Sequence, residues 1–116
     1  QSIDLIVLAG FMWLVPKYLV SAYSDRMINV HPALLPKFGG KGMYGMNVHR
    51  AVKEAGETES GITIHLVNEE YDKGRVLAQA KCAIHETYTP ETIAEKIHAL
   101  EYANFPRVIE QFILTP

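Results

Sequence analysis

Asn29-Val30-His31, with Pro32 behind it, closes a hydrophobic segment that reads as a β-strand. Side chains alternate along a strand, so Asn29 and His31 project to one side and Val30 to the other. Pro32 has no N–H to give and ends the ladder. Two polar side chains are thereby set at a strand's carboxyl end, where open α/β sheets collect their ligands. A carboxamide beside an imidazole suits reaction at a carbonyl carbon. The amide N–H donates to a developing oxyanion, and the ring carries a proton. Taken alone, a strand-end histidine reads as a structural hydrogen-bonding residue. Asn29 before it and a long glycine-rich loop after it favour the proton-carrying reading. Asp72, in Glu69-Glu70-Tyr71-Asp72-Lys73-Gly74, is a third candidate. Within hydrogen-bond reach of His31 it would orient the ring and stabilise the imidazolium. Asp-x-Gly is equally ordinary turn chemistry, and spacing does not choose between the two.

Other reactive residue types form weaker patterns. His49 sits in a helical stretch before Arg50 and reads as a surface or loop-packing residue. His65 lies on the less apolar face of a strand, where lining a pocket and a structural role are equally compatible. His85 and His98 read as exposed. The histidine spacings match no zinc signature and Cys82 is alone, so no metal is expected. A packed thiol is the preferred reading of Cys82. Neither a dinucleotide fingerprint nor a P-loop is present. Gly39, Gly40, Gly42 and Gly45, near Lys37 and Lys41, offer a phosphate contact without the strand-to-helix setting such loops use. Phe11 to Val15 is an apolar loop that suits either core cover or one wall of a slot for a flat ligand.

Seven segments must position these residues. Ile3 to Ala9 is a nearly continuous apolar run and predicts a buried parallel strand. Pro16 opens a helix that runs to about Tyr23. Arg26 to His31 is the second strand. Pro32 to Gly45 is a long loop, a natural lid, and Met46 to Ala55 is a helix stopped by Gly56. Residues 60–68 alternate Ile62, Ile64 and Leu66 against Thr63, His65 and Val67, which predicts a half-buried strand. An acidic turn and a strand over residues 75–84 complete a hairpin. Thr89 caps a last helix with Pro90 first and Ile93, Ile97 and Leu100 along its inner stripe; Pro106 should kink or restart it. The expected fold is α/β: a Rossmann-like, mostly parallel sheet with a C-terminal hairpin and flanking helices.

The 116 residues suit one domain, and 48% hydrophobic content is enough for a core. A net charge of −2 gives no basic footprint for nucleic acid. No run approaches the length of a membrane span, and no secretory leader is recognisable. One cysteine fits a cytoplasmic setting. A homodimer is left open. The abrupt entry into a strand at residue 3 suggests the C-terminal part of a longer chain.

Over nearly its whole length the sequence resembles the folate-dependent formyltransferases. The resemblance is carried by Leu8-Ala9-Gly10-Phe11-Met12, by Asn29-Val30-His31-Pro32-Ala33-Leu34-Leu35-Pro36-Lys37-Phe38, by Gly61-Ile62-Thr63-Ile64-His65 and by Asp72-Lys73-Gly74. It implies a formyltransferase fold lacking its N-terminal half, with residues 1–116 as the C-terminal catalytic part of the domain. It implies 10-formyltetrahydrofolate as co-substrate and the amine of glycinamide ribonucleotide, in purine synthesis, as acceptor. Asn29 and His31 would hold the formyl group and the tetrahedral intermediate, and Asp72 would raise the basicity of His31. Met12, Trp13, Leu14 and Val15, with Asn68, Glu69, Glu70 and Tyr71, would form the pterin pocket. Pro32 and Glu101 would contact the amine substrate, Glu101 at its ribose. Three departures stand out. The glycine-rich first strand-loop that holds the substrate phosphate is absent, so the fragment alone should be inactive. Trp13 replaces a basic residue, and the loop Gly39-Gly40-Lys41-Gly42-Met43-Tyr44-Gly45 is long. The alternatives are a formyltetrahydrofolate deformylase, a methionyl-tRNA formyltransferase and a non-catalytic folate-binding domain.

Overall fold

A computed structural model describes residues 5–9, 16–23, 26–68 and 74–114. Its elements are β1 (Ile6–Ala9), α1 (Lys17–Ala22), β2 (Met27–His31), α2 (Met46–Glu54), β3 (Glu59–Leu66), β4 (Val76–Ala83) and α3 (Pro90–Leu114). The four strands form one sheet in the order β1-β2-β3-β4. β1 pairs with β2 in parallel, while β2–β3 and β3–β4 are antiparallel. The mixed α/β architecture and the hairpin follow the sequence expectation. The expected mostly parallel sheet is corrected: among the described residues only the β1–β2 pairing is parallel, because the long link through α2 returns the chain against β2 and the hairpin adds β4 antiparallel.

Register sorts the sheet into two unlike faces. Ile28 pairs with Leu66 and Val30 with Ile64, and these join Ile62, Val52, Ile93 and Ile97 in one apolar core. α3 packs over β3 and β4 and also against α2, so this core lies under the helices. Burying each such side chain stabilises the fold by about 1.5–3 kcal/mol. The opposite face carries Asn29 across from His65 and His31 across from Thr63. β3 is not half-buried as its alternation predicts: Ser60 to Leu66 are all buried. The strand is central, and the loop after β2 covers its polar side.

Local signals end the elements as they should. Thr89 Oγ1 accepts the Thr92 N–H at 3.1 Å, capping α3. α2 closes in a Schellman turn: Gly56 N–H reaches the Lys53 carbonyl, Glu57 N–H reaches that of Val52, and Gly56 takes φ +67°. Of the kink or restart expected at Pro106, the restart does not occur; α3 is a single helix through that proline. Its missing N–H leaves the Tyr102 carbonyl without an intrahelical donor, and Tyr102 lies in water, which can supply one. No helix among the described residues is long and apolar enough to cross a membrane.

Candidate active site

β2 presents Asn29 and His31 on one face, about 6.5–7 Å apart along the strand. They are 8% and 3% exposed, so their polar atoms need partners inside the protein. His31 Nε2 lies 2.7 Å from the Phe38 carbonyl oxygen. A carbonyl only accepts, so the Nε2 proton is present and proton exchange falls to Nδ1. Phe38 reaches this position with φ +57°, a left-handed conformation that costs about 1–2 kcal/mol. Its hydrogen bond to His31 and its packing on the apolar core offset that cost.

Thr63 anchors the loop that carries Phe38. Its hydroxyl donates to the Ala33 carbonyl at 2.7 Å and accepts the Leu35 N–H at 3.0 Å. Gln79 Nε2 supplies a third bond to the same oxygen at 3.0 Å. One hydroxyl thus spends its proton and both lone pairs on fixing residues 33–35 to the sheet. The first half of the expected lid is therefore pinned. Lys37 forms an exposed ion pair with Glu57 at 2.9 Å.

Asn29 is oriented from across the strand pair. Its Nδ2 lies 3.4 Å from His65 Nε2, and His65 Nδ1 lies 3.0 Å from the Leu66 carbonyl oxygen. The Leu66 carbonyl only accepts, so Nδ1 carries a proton; where Nε2 is bare, the Asn29 amide nitrogen is the donor across this contact. Asn29 Oδ1 is buried with no hydrogen-bond partner among the described residues.

A cleft of about 500 Å³ opens at the carboxyl end of β2, on the Val30 side. Pro32, Met46, His49, His98, Glu101 and Tyr102 are among its lining residues. Pro32 and Glu101, far apart in sequence, thus share one cavity. His98 Nδ1 lies 3.3 Å from Glu101 Oε1. Burial raises the Glu101 carboxyl above its ordinary range, and the neighbouring His98 opposes that shift. His49 is not a surface residue: it is 3% exposed, on the inner stripe of α2 with Val48 and Val52. Desolvation, then the charges of His98 and His31, lower its pKa to about 4. It is neutral at pH 7, and its buried Nδ1 has no partner among the described residues. His85 and His98 are exposed, as their sequence context predicts.

The cleft and the Asn29–His31 face lie on opposite sides of β2; the link between them is His49, which lines the cleft and feels the charge of His31. Asp72, Met12, Trp13, Leu14, Val15, Glu69, Glu70 and Tyr71 lie outside the described residues. Asn68 is exposed just past the end of β3. Sequence reasoning gave Thr63 no role and read His49 as peripheral. Strand alternation alone had put Thr63 and His65 on the less apolar face, but no sequence signal gave the register that faces them to His31 and Asn29.

A model of the formyl transferase family matches residues 1–109. The chain is 49% identical over 108 residues to the chloroplastic phosphoribosylglycinamide formyltransferase of Arabidopsis thaliana, covering 93% of this chain and 37% of that protein. It is 42% identical over 113 residues to the phosphoribosylglycinamide formyltransferase of Bacillus subtilis, covering 97% of this chain and 55% of the relative. The crystal structure of the Bacillus halodurans phosphoribosylglycinamide formyltransferase superposes with a TM-score of 0.87 at 37% identity, over 97% of this chain and 56% of that one. The chain therefore spans between about a third and just over half the length of these relatives.

Proposed function

The chain belongs to the formyl transferase family, and on that premise we propose that it carries the transfer site of an enzyme moving a formyl group from 10-formyltetrahydrofolate to the amine of glycinamide ribonucleotide. The observation that carries this reading is the pairing of Asn29 and His31 on one buried face at the end of β2. In this reading the amine nitrogen attacks the formyl carbon, and the carbonyl oxygen becomes an oxyanion. An Asn29 N–H donates to that oxyanion. The attacking nitrogen must lose a proton, and the departing folate nitrogen must gain one. His31, with Nε2–H engaged by Phe38, carries that proton through Nδ1 and ends the cycle as it began. The Phe38 carbonyl stabilises the imidazolium while the proton is aboard. Asp72 adds a second, negative partner in this reading.

The cleft at Pro32 and Glu101 takes the amine substrate, with the Glu101 carboxylate accepting from ribose hydroxyls. A folate-type co-substrate follows from the family; its pterin pocket is assigned to Met12, Trp13, Leu14, Val15, Asn68, Glu69, Glu70 and Tyr71 as part of the same proposal. So is the reading of residues 1–109 and the short remainder as the C-terminal catalytic part of one domain.

The test is formyl transfer by the full-length protein with and without glycinamide ribonucleotide. Turnover should require the amine, and His31→Ala should lower kcat by about 10²–10⁴-fold with folate affinity largely kept. Equal formyl release without the amine would point to water as the acceptor and defeat the proposal.

A further inference from the structure

We propose that His65 is a positioning residue for formyl transfer, selecting which end of the Asn29 carboxamide serves the reacting carbonyl. The inference rests on the reading of Asn29 as the oxyanion donor. A carboxamide is nearly symmetric in shape, and its two ends are chemically opposite. An Asn29 rotated by half a turn would offer an oxygen to a developing oxyanion and repel it. Something must exclude that rotamer.

The strand pair does so through a chain of two hydrogen bonds. The Leu66 carbonyl oxygen, 3.0 Å from His65 Nδ1, holds a proton on that nitrogen, and in the proposed arrangement it is the ring's only one. The lone pair on Nε2 then faces Asn29, and Nδ2 sits 3.4 Å from it. The flipped carboxamide would set its Oδ1 against that lone pair. With Nδ2 held, one N–H goes to His65 and the second remains for the substrate. His65 and Asn29 occupy directly opposed positions in β3 and β2 and are both buried, so water does not offer a competing partner. The pairing of β3 with β4 shifts register between Ile64 and His65. Irregularities of this kind re-aim a side chain beside active sites.

The experiment uses the full-length protein and four variants: His65→Phe, His65→Gln, Asn29→Ala and the double variant H65F/N29A. His65→Phe keeps a flat ring without an acceptor. It should lower kcat by about 10- to 100-fold while KM for both substrates stays within about threefold. His65→Gln, whose side-chain oxygen accepts an N–H, should recover most of the loss. The double variant should be no slower than Asn29→Ala, because the role of His65 passes through that side chain. A merely structural His65 would slow the Asn29→Ala background by its own full factor, which would overturn the inference. If His65→Phe does not fold, ¹⁵N NMR of the wild-type imidazole decides: a proton on Nδ1 alone supports the inference, and a proton on Nε2, in the other tautomer or the cation, overturns it. Normal kcat in His65→Phe beside a crippled Asn29→Ala would defeat this inference alone. Normal kcat in Asn29→Ala would defeat the underlying reading of the site.

Discussion

Acid should destabilise this protein through His49, and replacing that one side chain should remove the effect. The buried imidazole takes up a proton only near pH 4, against an ordinary value of 6.5. The unfolded chain protonates His49 as pH falls through 6.5, while the folded chain does not until about 4. Between those values the unfolded state binds more protons, so stability falls as pH falls. The gap of 6.5 minus 4 corresponds to about 3 kcal/mol in total, of which about 2 kcal/mol should be lost by pH 5. Glu101 acts in the other direction. Its carboxyl is raised by burial, so falling pH relieves its cost in the folded state. Comparison with His49→Gln cancels that contribution, because both proteins retain Glu101. Urea unfolding of the full-length wild type and His49→Gln at intervals from pH 7 to 4.5 would measure the difference. The wild type should lose stability more steeply, and the His49 ring signal should titrate far below 6.5 by NMR. Parallel stability profiles, or a midpoint at the ordinary histidine value, would refute the argument.

Three further outcomes are expected. Thr63→Val should cost about 1–3 kcal/mol in urea unfolding, because Ala33 O and Leu35 N–H lose their buried partner, and turnover should fall as the Phe38 loop loosens. Gly61→Ala should destabilise the β3–β4 hairpin, since an added Cβ would strike the Ala80 carbonyl oxygen and the Leu34 side chain; a normal thermal midpoint would contradict this packing. Glu101→Gln should raise KM for glycinamide ribonucleotide about tenfold while leaving KM for the folate near its starting value, measured by steady-state kinetics.

Much of this protein is written in local pattern. Alternation in Ile62-Thr63-Ile64-His65-Leu66, the cap at Thr89 and the stop at Gly56 are nearest-neighbour effects, and each predicted element appears within a few residues of its expected place. Asn29 and His31 were legible for the same reason: a strand repeats every second residue, so their shared face needs no tertiary knowledge. Pro106 does not divide the last helix: the carbonyl it orphans belongs to Tyr102, an exposed residue where water can supply the missing donor.

The parts that folding alone settled are those that depend on register and on approach between distant segments. His65 stands opposite Asn29 and Thr63 opposite His31 because β3 runs antiparallel to β2 in one register of several, and a shift by a single residue would turn both away. His49 became a buried neutral base because α2 presses its inner stripe against the core beside α3. Glu101 and Pro32 came to share a cleft by the same packing. Periodicity carries a residue's face; it does not carry the identity of what that face meets, because long-range contacts arise from the summed packing of the whole chain.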